Sequence, residues 1–375
     1  MTKSGAYDVI IIGGGLAGLC CALHLQKYGV KILLIEKQPY PKHKVCGEYI
    51  SNEVLPYLEW LNIDPFSHGA VSINRFEIST RQGETIESEL PLGGFGMSRY
   101  ALDKLLFDEV VIKSEVVIDT VTSVDFQADM FEITTKSKKS FNSPYVVGAY
   151  GKRSVLDKQM NRKFVSERTH WMAVKAHYTY DFPENKVALH NFEGGYCGLS
   201  KTETGAVNAC YLTTLKSFQK CENIEEFQEK IMGENRQLKG FFTKARPLFE
   251  KPLTISQISF AKKSIIENHV FMLGDSAGLI HPLCGNGMAM AIHSAKIFSE
   301  LYLEEIRNKK GGRETLEYAY KQAWKANFSE RLRTGSRIQR LLLNNTAASF
   351  AYTTMSRFPS ILPYIIKKTH GTSLV

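Results

Sequence analysis

A run of glycines near the N-terminus constrains the fold of this chain more than any other feature. Residues 7–12 form a β-branched run of strand length, and residues 13–18 have the spacing Gly-x-Gly-x-x-Gly. Residues 16–28 then carry apolar side chains at helical spacing, and residues 30–36 are a second apolar run. Strand, tight turn, helix and strand in about 30 residues predict a βαβ unit with a right-handed crossover.

The glycine run also predicts a ligand. Gly13 permits the tight turn, Gly15 lets the backbone approach a pyrophosphate, and Gly18 allows the helix to pack closely on the strand. Glu36 ends the second strand, where a carboxylate accepts hydrogen bonds from both hydroxyls of an unphosphorylated adenosine ribose. We therefore expect a dinucleotide here, bound by Gly13, Gly15, Leu16, Ala17, Gly18, Glu36 and Lys37.

Charge is unevenly distributed over the 375 residues. The formal net charge is +9, but residues 307–375 alone hold 13 Lys or Arg and 3 Asp or Glu, so the rest is nearly neutral. This distribution argues against a nucleic-acid groove across the fold. A solvated basic helix face is the simpler interpretation, and peripheral contact with a membrane surface is the alternative. Residues 358–366 are too short and too proline-broken to span a bilayer, so no transmembrane segment is expected.

The cysteines indicate the redox compartment. Seven cysteines form an odd set with no Cys-x-x-Cys pair, so neither a disulfide framework nor a metal site is indicated. Reduced thiols and a cytoplasmic location are the expectation.

Beyond the first unit the pattern changes. Residues 71–90 and 165–215 alternate apolar and polar side chains as antiparallel strands do, and residues 222–245 and 288–343 have helical periodicity. The sequence thus predicts a mixed α/β chain in which an antiparallel-sheet substrate domain (71–95 and 161–261) is inserted into a cofactor domain (1–70, 96–160 and 262–300). Residues 301–375 form a C-terminal helical region in this division.

A second motif indicates which dinucleotide is bound. An apolar strand at 270–273 leads into Gly274-Asp275-Ser276-Ala277-Gly278, then His281-Pro282 and Gly285-Asn286-Gly287-Met288. These residues resemble the p-hydroxybenzoate-hydroxylase-like flavoproteins, and the resemblance covers most of residues 6–330. It implies a Rossmann-like fold and non-covalent FAD, with Asp275 at the ribityl chain and the following helix N-terminus at the flavin ring. The contacts it implies are Gly274, Asp275, Gly285, Gly287 and Met288.

Two further segments match the same family. Arg99 begins a stretch that looks like the family's RxxLDxxL helix, in which the arginine braces the FAD. Residues 116–124 resemble the strand that touches adenine, which makes Val121 a candidate contact.

The segment around Cys46 carries information on the reaction. Residues 41–51 resemble the geranylgeranyl reductase group, in which a Cys-Gly element lies beside the isoalloxazine, so Cys46 and Gly47 are expected at the flavin and Cys46 is the candidate catalytic residue. The resemblance implies NADH or NADPH as reductant and C=C reduction of a hydrophobic prenyl, polyene, polyketide or aromatic substrate.

Departures from the family leave alternatives open. Tyr150 stands where hydroxylases carry an aspartate, and the tryptophan that prenyl reductases carry near Tyr196 is absent. Hydroxylation of an aromatic or polyketide substrate with O2 by a flavin monooxygenase therefore remains an alternative. A non-catalytic lipid carrier of the GDP-dissociation-inhibitor type is a third hypothesis, opposed by the intact Glu36 and Asp275. The substrate pocket is expected beneath Trp171, Tyr178 and Tyr196.

Overall fold

A computed structural model describes residues 7–167, 169–279, 285–343, 345–358 and 360–374, so His281 and Pro282 of the second motif lie outside the described residues. The strands in chain order are β1 (Val9–Ile12), β2 (Ile32–Glu36), β3 (Tyr49–Ser51), β4 (Val71–Ser79), β5 (Thr85–Gly96), β6 (Glu115–Ile118), β7 (Val121–Gln127), β8 (Met130–Thr135), β9 (Ser140–Ser143), β10 (Tyr145–Gly148), β11 (Trp171–Thr179), β12 (Lys186–Phe192), β13 (Gly195–Lys201), β14 (Val207–Thr214), β15 (Arg246–Pro247), β16 (Leu253–Ile258), β17 (Ile266–Glu267) and β18 (Val270–Met272).

The α-helices are α1 (Leu16–Lys27), α2 (Leu55–Trp60), α3 (Arg99–Val110), α4 (Val155–Gln159), α5 (Leu215–Phe218), α6 (Ile224–Lys230), α7 (Arg236–Lys244), α8 (Gly287–Tyr302), α9 (Arg313–Leu343), α10 (Asn345–Arg357) and α11 (Ile361–Thr369). A π-helical turn at Leu303–Arg307 follows α8.

The first sheet contains the βαβ unit that the glycine run predicts. Its strand order is β17-β18-β10-β1-β2-β6, and all neighbours are parallel except β17 and β18. All four residues of β1 are buried, as expected for a central strand covered on both faces. The carboxyl ends of β1, β2, β10 and β18 therefore meet at one edge, where ligands bind in open parallel sheets.

The second sheet is the mixed, largely antiparallel sheet that the alternating segments predict. Its order is β15-β11-β14-β13-β12-β4-β5-β3, and β16 also pairs with β11. Strand β3 comes from the segment that we assigned to the cofactor domain, yet Tyr49 pairs with Gly96 on β5. A segment assigned to the cofactor domain therefore contributes a strand, β3, to the second sheet. The domain boundaries themselves stay a prediction.

The predicted strand over residues 116–124 is wrong as one element. It is divided into β6, which pairs with β2 in the first sheet, and β7, which begins a separate three-stranded sheet. Between them the Asp119 carboxylate accepts hydrogen bonds from the backbone N–H of Thr120, at 2.7 Å, and of Ser137, at 3.3 Å. An aspartate that binds its own local backbone favours a turn over a continued ladder.

The C-terminal helices lie against both sheets. Trp324 of α9 packs on Gly278, and α11 contacts β5. Arg333, Arg337 and Arg340 of α9 are exposed, whereas Arg331 is part-buried and pairs with Glu53 at 3.2 Å. No helix in the described ranges combines the length and the apolar character needed to cross a bilayer.

Candidate functional site

One cavity of about 990 Å³ joins the carboxyl edge of the first sheet to the second sheet and the C-terminal helices. Its wall contains most of the residues predicted to bind the cofactor: Gly15, Leu16, Ala17, Glu36, Lys37, Cys46, Gly47, Arg99, Gly274, Asp275, Gly285, Gly287 and Met288. Three other predicted contacts, Gly13, Gly18 and Val121, are not among the described residues that line the cavity. Val121 lies instead at the start of β7.

Gly13 and Gly18 lie beneath the cavity and allow the backbone to pack. Gly13 has a φ of +105°, and a Cβ there would be 2.5 Å from the carbonyl oxygen of Ala149. A Cβ at Gly18 would be 1.9 Å from the carbonyl oxygen of Gly13. Helix α1 then begins with Gly15 as its N-cap and without a side-chain cap, so its first amides stay available to an anion.

Glu36 lines the part of the cavity where the sequence predicts the adenosine ribose. Its carboxylate accepts a hydrogen bond from the backbone N–H of Gly14 at 2.7 Å and pairs with Lys42 at 2.5 Å. Burial by itself raises the pKa of Glu36, but Lys42 and the Gly14 amide bring it below its ordinary value. Glu36 is therefore charged at neutral pH, as ribose recognition requires. Lys42 was not found from the sequence, because nothing in the local pattern indicates that it turns back toward Glu36.

Two cations meet beside the α1 N-terminus. The Nη2 of Arg99 and the Nζ of Lys44 each lie 3.7 Å from the position that a Cβ on Gly15 would take. Both pair with the fully buried Asp103, Arg99 through Nε–Oδ1 at 2.7 Å and Lys44 through Nζ–Oδ2 at 2.8 Å. Burial alone lowers the pKa of Arg99, and Asp103 raises it above its usual value. Open amides and two fixed cations fit a pyrophosphate, although the sequence did not identify Lys44 or Asp103 as part of this site.

Cys46 lies where the cofactor part of the cavity meets the start of α8. Its thiol is half-buried and lies 3.4 Å from the Sδ of Met288. The carbonyl oxygens of Cys46 and Gly47 accept hydrogen bonds from Asn208 Nδ2 at 3.2 and 2.8 Å. Because Asn208 lies on β14, the second sheet fixes the loop that carries the candidate thiol.

Tyr150 and Asp275 lie on the neighbouring wall. The Tyr150 hydroxyl is 3.3 Å from the Sδ of Met272, and burial raises the pKa of Tyr150, so the phenol stays neutral. The backbone carbonyl of Asp275 accepts a hydrogen bond at 2.7 Å from Lys263, whose pKa burial lowers to about 8. The backbone of the second motif is thus fixed, and Asp275 lines the cavity.

The remaining wall, here called the apolar chamber, is built from aliphatic and aromatic side chains of the second sheet and the C-terminal helices. Its main members are Phe76, Ile78, Leu90, Leu189, Tyr196, Leu212, Leu342, Met355, Ile361 and Ile365. Such a wall excludes water and binds a ligand through its apolar surface.

Only one of the three aromatic residues predicted to cover the substrate does so. Tyr196 lines the chamber, but Tyr178 packs on Phe241 of α7 with ring centres 5.2 Å apart, and Trp171 packs on Phe260 at 6.0 Å. The prediction for Trp171 and Tyr178 is wrong. Tyr178 lies on the opposite face of β11 from Ala173, which lines the cavity, whereas Trp171, the first residue of the strand, shares the face of Ala173 but packs on Phe260.

Comparison with known proteins agrees with this geometry. A family described as "FAD binding domain" matches residues 6–323. Digeranylgeranylglycerophospholipid reductase of Sulfolobus acidocaldarius is 28% identical over 44% of this chain and 34% of its own length. The protein of that name from Methanococcus vannielii is 24% identical over 85% of this chain and 82% of its own length.

Other similar proteins carry different names. An FAD-dependent monooxygenase of Arthrinium is 21% identical over 79% of this chain and 44% of its own length. The solved structure of a flavin-dependent brominase superposes with a TM-score of 0.78 at 16% identity, covering 97% of this chain and 93% of that chain. At that identity the brominase shows the shared fold alone.

Proposed function

This chain belongs to the FAD binding domain family and is an FAD-dependent oxidoreductase, and we propose that it reduces a carbon–carbon double bond in a hydrophobic substrate. We further propose NADH or NADPH as the electron source. The observation that carries the proposal is the position of Cys46, which lies in the wall of the same cavity as the apolar chamber and beside the start of α8.

Different residues of the cavity would bind different parts of FAD. Gly15, Arg99 and Lys44 would hold the pyrophosphate, and Glu36 would hold the adenosine ribose. Asp275 would hold the ribityl chain, as the resemblance implies. Bound FAD would supply hydride transfer between a nicotinamide and the substrate.

The apolar chamber places and protects the substrate. Phe76, Leu189 and Ile365 approach from the second sheet and from α11, so an extended prenyl or polyene chain gains affinity as its surface leaves water. The names of the two archaeal relatives support a prenyl substrate class.

Hydroxylation with O2 is the second candidate. The same dry chamber suits an oxygenase, and the Arthrinium relative is an FAD-dependent monooxygenase. The two candidates share the reduction of flavin by NAD(P)H and differ only in what accepts the electrons.

Oxygen distinguishes them. The purified holoprotein would be supplied with NADH or NADPH and with prenyl or polyene substrates, in parallel reactions with and without O2. The masses of the products would be determined by mass spectrometry. We expect turnover without O2 and a product two hydrogens heavier. Turnover that stops without O2 and incorporates labelled oxygen would instead establish the monooxygenase.

A further inference from the structure

Three ionisable side chains are buried together directly behind the wall that Cys46 and Gly47 form. Glu48 and Lys175 are 0% exposed and His177 is 5% exposed. The Glu48 carboxylate pairs with Lys175 Nζ at 2.5 Å through one oxygen and with His177 Nε2 at 2.6 Å through the other. Lys175 and His177 share a face of β11 with Ala173, which lines the cavity. The cluster therefore faces the site.

Stability alone is a weak explanation for this cluster. Burying an ion pair costs desolvation that mutual attraction often fails to recover. Glu48 also adopts a φ of +54°, in the left-handed region that residues with a Cβ rarely occupy. Burial alone would raise the pKa of Glu48, but His177 and Lys175 hold it below its ordinary value, so the carboxylate is charged.

A metal ion is not the natural occupant. His43, Glu48 and His177 offer ligand atoms within 4.8 Å of one another. However, one Glu48 oxygen is already taken by the ammonium of Lys175 and by the backbone N–H of Arg99, at 2.8 Å. A buried ammonium at this distance opposes a divalent cation.

The hydrogen bonds of Glu48 show what the cluster holds. Besides the side chains of β11, its carboxylate accepts the first amide of α3, that of Arg99. Its backbone carbonyl accepts the N–H of Met97 at 3.2 Å. The preceding residue, Gly47, is held by Asn208. Glu48 is thus the point at which the loop of Cys46, the start of α3 and strand β11 are joined.

We propose that Glu48 is a positioning residue of the cofactor site, whose buried carboxylate sets the Cys46 loop and the N-terminus of α3 against bound FAD. Both elements contribute side chains to the cofactor wall, Cys46 on one and Arg99 on the other. The proposal requires only FAD binding, and holds whether the electrons pass to a double bond or to O2.

The chain contains a matched control. Glu77 pairs with Lys186 at 2.8 Å and lies 3.7 Å from His190, which makes a second Glu–Lys–His cluster on the same sheet, with Glu77 and His190 buried and Lys186 part-buried. Its strand neighbours Phe76 and Ile78 line the cavity, so Glu77 points to the opposite face. Glu77→Gln removes a comparable charge away from the cofactor.

The experiment compares Glu48→Gln, Glu77→Gln and the double variant Glu48→Gln/Lys175→Met. The Kd for FAD is measured by titration of apoprotein, the environment of bound flavin by visible circular dichroism, and the Tm of the apoprotein separately. In Glu48→Gln the buried ammonium of Lys175 loses its counter-charge, and the side-chain N–H₂ replaces one of the two oxygens that held the surrounding groups, so the loop shifts. We expect the Kd to rise roughly 10- to 100-fold, the loss typical of a hydrogen bond to a charged group, and the dichroism to change.

In Glu77→Gln, we expect the Kd and the dichroism to match those of the wild type even where the Tm falls. In the double variant the opposing ammonium is gone, and we expect the Kd to return to within about threefold of the wild type, as coupled neighbours do. Equal Kd values for Glu48→Gln and Glu77→Gln would overturn the proposal, as would a double variant that binds FAD no better than Glu48→Gln.

If Glu48→Gln does not fold, the single variant Lys175→Met can be compared with the wild type instead. Lys175→Met leaves the Glu48 carboxylate buried without its ammonium, and we expect weaker FAD binding and changed dichroism there too. If Glu48→Gln cannot be purified, wild-type Kd and dichroism in Lys175→Met would overturn the proposal.

Discussion

Arg99 and Asp103 form a two-point ion pair across one turn of α3, with Nε–Oδ1 at 2.7 Å and Nη2–Oδ2 at 2.8 Å. Asp103 is fully buried and also accepts Lys44 at 2.8 Å. One carboxylate thus orients both cations that lie beside the glycine turn. This planar, two-point geometry is the one that guanidinium and carboxylate groups favour.

Asp103→Asn should therefore weaken both the fold and FAD binding. Breaking a buried pair leaves uncompensated cations, so we expect the free energy of unfolding to fall by about 3–5 kcal/mol, measured by urea denaturation. Asp108→Asn is the control on the same helix, because Asp108 pairs with Lys104 at 2.6 Å in solvent and should cost less than about 1 kcal/mol. Equal losses would contradict this account of Asp103.

Buried histidines predict how stability depends on pH. Burial lowers the pKa of His24 and of His190 to about 3, below the unfolded value of about 6.5. Their neutral forms therefore stabilise the fold above about pH 6.5, and that stability is lost as the pH falls toward 3. We expect each histidine to contribute a slope of about 1.4 kcal/mol per pH unit below pH 6. His24→Gln should remove one such slope in urea titrations at several pH values. If the slope of unfolding free energy against pH is unchanged in His24→Gln, burial does not hold His24 in its neutral form.

Glu36→Arg should expel FAD. The substitution removes a carboxylate expected to make two charge-assisted hydrogen bonds to the ribose, each worth about 1.5–3 kcal/mol, and places a second cation beside Lys42. The measurement is the ratio of flavin absorbance to protein after reconstitution. Glu132→Arg makes the same charge change on exposed β8 and should keep one FAD per chain. If Glu36→Arg still binds one FAD per chain, the ribose is not bound at Glu36.

Cys46→Ala should keep FAD and lose turnover. The loop is held by backbone carbonyls that Asn208 binds, so removing the thiol leaves its anchors in place. If the thiol acts at the reacting atoms, kcat should fall by about 10²-fold or more. Cys221→Ala changes a cysteine outside the described cavity wall and should leave kcat unaltered. Wild-type kcat in Cys46→Ala would remove the thiol from the chemical step.

Gly198→Leu should shorten the apolar chamber. Gly198 lines the cavity, and a Cβ there would lie 3.7 Å from the carbonyl oxygen of Cys210, an ordinary contact. The strand can therefore accept the side chain, which then fills space that a long substrate needs. We expect KM to rise about tenfold or more for long prenyl chains and little for short ones, with the Kd for FAD unchanged. Gly240→Leu, at an open position on α7, is the control.

Much of the cofactor site could be predicted because its determinants are local. The glycine spacing, the carboxylate that ends β2 and the Gly-Asp segment after β18 each lie within a few residues of the backbone geometry that they require. Steric limits on the turn allow few residue types there, so the sequence records the constraint directly. Helix α3 begins at Arg99 for the same local reason, since Ser98 accepts the N–H of Ala101.

Contacts between distant segments were decided only by the tertiary structure. Glu48 meets Lys175 across 127 residues and His177 across 129, and no local pattern relates them. The surroundings of Trp171 and Tyr178 could not be predicted either, because which face of β11 looks toward the cavity depends on the segments that pack on each side of the sheet. Side chains buried by remote segments obtain their partners from packing, which the order of residues along one strand or helix does not specify.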